Sequence, residues 1–200
     1  MIQMGEYQTL TITREKPQGF YLSDEEGNEV LMPATYVSRT MKIGDQLEVF
    51  VYGDSQGLVI ATTEKPLVTV GQFAHLKVVA VTEVGAFCDW GVSKQLFIPF
   101  RNQGVKVRPH QSWVVHMYLD EASGRLVGTT KLNRFLQHEA DESLEKGQQV
   151  DLLVYERTDL GYRVIVNQKY AGLVYANEIP KSLRLGQQLK GYIKPLREDG

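Results

Sequence analysis

The residues best placed to do chemistry lie in the stretch TEVGAFCDWG, Thr82 to Gly91. Successive side chains of a strand point to opposite faces, so Ala86 and Cys88 share one face while Phe87 and Asp89 share the other. An ionised Asp89 inside a small barrel would need a partner, so the Phe87 face reads as the outer one. A ring held outward on a strand is a stacking platform, and a nucleobase laid on it gains ~1–3 kcal/mol. The competing reading keeps Phe87 in the core, with Asp89 merely near a strand end. A little downstream, Lys94, Arg101, Lys106 and Arg108 fall close together in sequence around a strand connection. They would make a patch that tracks phosphates, against the alternative of ordinary scattered surface charge.

Other chemistry finds no footing. His75, His110, His116 and His138 lack metal-ligand spacing, and Cys88 alone can neither anchor a zinc site nor form an intramolecular disulfide. His116 alternates within a strand and reads as a surface or hydrogen-bonded residue rather than a base. There is no G-x-S-x-G and no phosphate loop. The expectation is a protein that is not an enzyme, without cofactor, metal or small-molecule substrate. The lone cysteine points to the reducing cytoplasm. The N-terminal MIQMGEYQTLTITRE lacks the basic and apolar regions of a leader. The longest apolar runs, such as LKVVAV, fall far short of the ~20 residues that span a bilayer.

Charge is unevenly spread. Residues 1–64 hold four Lys/Arg against ten Asp/Glu, a balance of −6; residues 65–130 carry +3 and residues 131–200 carry +1. A polyanion would therefore prefer the middle and last parts, and the acidic first part suits a basic protein partner.

Three copies of one pattern must position these residues. MKIGDQLEVFVYGDSQGLVIATTEK (Met41–Lys65) aligns with VRPHQSWVVHMYLDEASGRLVGTTKL (Val107–Leu132), each an alternating run, an acidic turn with glycine, and a strand ending in two threonines. Upstream of each, QGFYLSDEEGNEVLMPATYV and VGAFCDWGVSKQLFIPFRNQ both run strand, polar turn, strand, proline. A third copy begins at LGYRVIVNQKYAGLVYANEI. Units of short, turn-separated strands suit small closed barrels. The fold class is all-β: three OB-type five-stranded barrels in tandem, over residues 1–64, 65–132 and 148–200. Between the last two, Leu132, Phe135, Leu136 and Leu144 are partly helix-spaced, which predicts a linker helix over 133–147 stopped by Gly147. REDG at Arg197–Gly200 reads as a hairpin turn leading to a last strand, so the third barrel is expected to stop short and the natural chain to continue.

VGAFCD, QLFIPF and LDEASGR, following Val70-Gly71, resemble the G-A-F-V, G-L-V-H-I-S and V-D…G-R signatures of S1 domains, the RNA-binding OB barrels. AGLVYANEI in the third unit is similar to the G-L-V-H-I-S strand. The three-copy arrangement, most clearly DLGYRVIVNQKYAGLVYANEI, resembles the conserved virulence factor B (YitL-like) family. That resemblance implies three S1-like barrels followed by a winged-helix domain, a bacterial protein that binds single-stranded RNA, DNA contact through the winged helix, and a role in regulating gene expression and virulence.

The resemblance also carries over particular positions. Phe87 takes the outward ring of G-A-F-V, while Val84 replaces a second ring three residues earlier, so the platform is expected to be reduced to one ring. Ile98 and Tyr175 stand at the histidine of G-L-V-H-I-S in the second and third units, and Met32 in the first; Tyr175 keeps a group able to stack. Asp120 and Arg125 take the last-hairpin positions, Arg125 reading equally as a solvated hairpin charge. Leu58 stands where that arginine would be in the first unit. Tyr21 occupies the Phe87 position in the first unit with Phe20 beside it. Arg163 occupies it in the third, with Tyr162 adjacent. The alternative reading is an adaptor that docks on a ribosome, polymerase or other protein.

Overall fold

The first unit's alternating runs form β1 (Tyr7–Lys16), β2 (Gly19–Ser23), β3 (Glu29–Pro33), β4 (Gln46–Gly53) and β5 (Val59–Thr62) in a computed structural model that describes residues 1–179 and 181–196. They close into a barrel of order β1-β2-β3-β5-β4, the closing contact being a parallel pairing of Leu31 with Ile60. The inward residues Leu10, Ile12, Leu22, Met32, Val49 and Val51 fill it. The second unit repeats the plan with β6 (Phe73–Val81), β7 (Gly85–Asp89), β8 (Leu96–Pro99), β9 (Ser112–Asp120) and β10 (Arg125–Thr129), ordered β10-β9-β6-β7-β8. β8 and β10 come together at Gly128, where a Cβ would lie 3.0 Å from Ile98 and 3.2 Å from Leu96. The third unit supplies β11 (Gln149–Arg157), β12 (Gly161–Val166), β13 (Tyr170–Tyr175) and β14 (Gln188–Tyr192), ordered β13-β12-β11-β14. Its expected turn at 197–200 lies outside the described residues. The molecule is an all-β array of OB-type barrels, and no described helix is long and apolar enough to cross a membrane.

Three local devices recur. The first strand of each barrel bulges just before its hairpin, between Ile12 and Arg14, Val78 and Ala80, and Val154 and Glu156. A short 3-10 turn follows the third strand each time, at Ala34–Tyr36, Phe100–Asn102 and Ala176–Glu178. The second strand always opens on a glycine, and at Gly85 the reason is clear. Its φ is +153°, and a Cβ there would sit 2.5 Å from the Ile98 carbonyl oxygen.

The barrels are welded rather than strung. On β4, Val49 and Val51 point into the first barrel, while Phe50 and Tyr52 point out and pack on Trp90 of the second, with ring centres 5.6 and 5.8 Å away. β9 does the same one barrel later. Val115 and Met117 point in, whereas Val114 and His116 point out, Val114 joining Phe73, Leu132, Leu136, Leu153 and Ile165 in a core shared with the third barrel. Polar clasps flank both seams. Glu64 accepts from the Ser93 backbone N–H at 2.9 Å and hydroxyl at 2.7 Å. The Gln168 side chain donates to the Phe73 carbonyl and accepts from its N–H, at 3.0 and 2.6 Å.

The expected linker helix is absent. Residues 133–147 contain one 3-10 turn, Asn133–Phe135. The apolar residues that suggested one helical face belong to different cores: Leu132 and Leu136 to the seam, Leu144 to the third barrel. Gln137 instead pairs with the edge of β13 opposite Tyr170, and Asp141 accepts from Lys169, Ser143 and Tyr170.

Candidate nucleic-acid interface

Outward residues of the first three strands form a cross-strand row on each barrel. In the second barrel the row is Ala80, Phe87, Phe97. Ala86 and Cys88 are fully buried and burial pushes the Cys88 thiol up to about 12, whereas Phe87 is half-buried and Asp89 exposed. The core reading of Phe87 is therefore set aside. Phe87 does not stand alone: Phe97 lies opposite, with ring centres 5.1 Å apart and planes inclined by 32°. The single-ring expectation is corrected, because β8 rather than Val84 supplies the second ring. A Cβ on Gly85 would come 2.8 Å from the Phe97 ring, so the missing side chain lets that ring lie across β7. On the other flank, Ala80 is too small to cover Phe87.

The equivalent rows are differently filled. In the first barrel the row is Arg14, Tyr21, Leu31, with the Arg14 guanidinium 4.1 Å from the centre of the Tyr21 ring and bonded to Glu29 at 2.7 Å. One face of Tyr21 is thus already occupied. In the third barrel it is Glu156, Arg163, Leu173, with Arg163 paired to Glu156 at 3.1 Å. Only the second barrel keeps an uncovered pair of rings among the described residues.

Other candidate residues fall elsewhere. Phe20 and Tyr162 are each 5 % exposed and belong to the cores of their own barrels, as alternation beside the outward Tyr21 and Arg163 demands. Ile98 and Met32, aligned with the S1 histidine, are fully buried. The ladders also separate Tyr175 from them by one position: Tyr175 pairs with Gly161, whose counterpart Gly85 pairs with Pro99. Tyr175 is half-buried at the end of β13.

The four-cation patch is not one surface. Lys94 donates its Nζ to the carbonyls of Gly53 and Asp54, at 2.8 and 2.7 Å, and so serves the first seam. Burial, helped by neighbouring Arg125, lowers its pKa. Exposed Arg125 lines a cleft of about 310 Å³ beside Lys94, Tyr52 and Trp90. Arg101 bonds Asp120 at 3.3 Å. Asp120 also accepts from Ser123 at 2.6 Å, and the two contacts, the hydroxyl's first, hold its carboxyl below the usual range. Asp120 thus caps its own hairpin turn. Lys106 and Arg108 are exposed on either side of buried Val107. Among the described residues no group of three or more His, Cys, Asp or Glu side chains is arranged to hold a metal.

His116 is neither a surface residue nor a satisfied one. It is 5 % exposed, its Nδ1 has no hydrogen-bond partner, and its ring stacks on Phe135 at 4.1 Å and lies 4.4 Å from Phe73 at a tilt of 46°. Burial, with Arg134 nearby, lowers its pKa to about 4. No sequence signal separates this environment from a solvated strand position.

A tandem array of OB-type barrels with an aromatic pair on one outer face defines a class of protein, and known proteins resemble it in part and in whole. Residues 4–64 match the family model of the S1 domain. Over 98 % of its length it is 24 % identical to Uncharacterized protein YitL of Bacillus subtilis, covering 67 % of that relative. It is 20 % identical to Conserved virulence factor B of Staphylococcus epidermidis, covering 69 % of it. A crystal structure described as a multidomain protein with nucleic acid binding domains, from Streptococcus pneumoniae, shares the fold: TM-score 0.56, 18 % identity, 98 % of this chain and 70 % of that one.

Proposed function

We propose that this chain is a non-catalytic RNA-binding protein that holds single-stranded RNA chiefly on the second barrel, by stacking bases on Phe87 and Phe97. The observation that carries the reading is the uncovered ring pair, in the row where the neighbouring barrels are closed by their own ion pairs. The S1 domain and the nucleic-acid-binding domains of the Streptococcus pneumoniae protein support it. Stacking needs unpaired bases, so a single strand fits this surface and a duplex does not. Arg125 and the exposed Lys106 and Arg108 are the cations on offer to the backbone. A role in gene-expression regulation would suit such an RNA contact, and the relatives named Conserved virulence factor B suggest a link to virulence. A second reading, a protein partner for the first barrel, is favoured by that unit's −6 balance.

The test is fluorescence anisotropy with labelled single-stranded and duplex RNA at low salt. Phe87→Ala and Phe97→Ala should each weaken single-strand binding about 5- to 150-fold, the equivalent of one lost stack. Duplex binding should be weak throughout. If the unaltered chain binds no single strand at low salt, the reading fails. Partners recovered on the first barrel that survive RNase treatment would favour the protein-binding reading.

A further inference from the structure

We infer that Arg134 is a second stacking contact for the same single strand, set at the seam between the second and third barrels; the inference rests on the RNA-binding reading above. Flat groups run outward from the seam in close contact. Phe73 and His116 are buried with ring centres 4.4 Å apart, Phe135 follows at 4.1 Å, and the Arg134 guanidinium lies 4.6 Å from the Phe135 ring centre. Tyr118 braces the outer layers: its ring is 5.2 Å from Phe135, and its hydroxyl accepts from Arg134 at 3.3 Å and from Asn102 at 2.9 Å.

Two consequences follow from chemistry. A free arginine gives up rotamer freedom when it captures a ligand, and Arg134 is already held in place by two rings and a hydroxyl. Its charge is also uncompensated. Of the described arginines that lie over rings, Arg14 is neutralised by Glu29, while Arg134 pairs with no carboxylate. A fixed, exposed, unpaired guanidinium at the end of an aromatic column takes a nucleobase as its next layer, with the adjoining phosphate drawn by the same charge. A single strand stacked on Phe87 and Phe97 would thereby gain a second anchor beyond β10, where the third barrel begins.

The experiment is anisotropy with a fluorescein-labelled single-stranded RNA 20-mer across a salt series, on the unaltered chain, Arg134→Ala, Arg134→Lys and Phe87→Ala, each checked by thermal melting. Arg134→Ala should weaken binding about fivefold or more, the low end of a lost stack. Arg134→Lys should restore part of the loss, keeping the charge without the planar face, while melting near the unaltered temperature. Should Arg134→Ala unfold the seam, the lysine variant alone decides: partial loss in a folded protein supports the contact. Full binding by the lysine variant overturns a stacking role. Unchanged binding in both Arg134 variants, with loss in Phe87→Ala, overturns the second contact and leaves the first platform standing. No binding by any form, the unaltered chain included, fells the RNA reading and this contact with it.

Discussion

Phe97 and Gly85 act as a pair. The ring crosses β7 only because residue 85 has no side chain, and the backbone there adopts φ +153°. Replacing Gly85 by alanine should cost about 1–3 kcal/mol through strain, more if β8 is pushed away. It should also weaken RNA binding by displacing Phe97. Chemical denaturation read beside anisotropy checks both, and an alanine variant as stable as the parent would refute the close approach. His116 gives a pH prediction with a definite sign. Its pKa falls from 6.5 to about 4 on folding, so the unfolded chain takes up the proton first. The neutral ring's contribution is intact above pH 6.5 and fades as pH drops toward 4. His116→Phe keeps the stack and removes the titration. Between pH 7 and pH 4.5 the parent should therefore lose roughly 5–10 degrees of melting temperature more than the variant, on the order expected for roughly 2 kcal/mol. Equal losses would show that His116 does not couple to folding.

At the level of strands and turns, the sequence is most readable where alternation is clean. GAFCD has one apolar face and one mixed face, and Phe87 comes out where alternation puts it. The same rule already consigns Phe20 and Tyr162 to the interior, because each sits next to an outward residue. LFIPF gives no such guidance: it is apolar throughout, and only its ladder with β7 turns Phe97 out and Ile98 in. SWVVHMYLD is unreadable for a related reason. Both of its faces are buried, one in its own barrel and one in the seam, so His116 carries no mark of its surroundings. The segment after β10 misleads by spacing, since Leu132, Leu136 and Leu144 fall four and eight residues apart yet serve two separate cores. The cation patch fails because proximity along the chain does not fix direction. Lys94 turns back to the first barrel, and Arg101 turns to the hairpin that ends at Asp120.

At the scale of the whole molecule, the −6 balance of residues 1–64 belongs to the barrel packed on the one that carries the proposed platform, and it sets a salt prediction. With the charge of the first unit repelling phosphates and few free cations near the rings, binding should depend on salt only modestly. A slope of roughly −1 to −3 in log affinity against log salt is expected, one unit or less for each phosphate neutralised. A steep slope of −6 or beyond would point to a backbone-dominated mode and away from stacking. The outer faces of β4 and β9 carry one more consequence. Because Phe50 and Tyr52 of the first barrel pack on Trp90 of the second, and Val114 of the second shares a core with the linker and the third, no barrel owns a complete surface. Dissection into single modules would bare those side chains to water and yield sticky, marginal fragments. Heating should melt the array in one cooperative calorimetric step, as a single folding unit whose internal repeats are legible in sequence but not separable in energy.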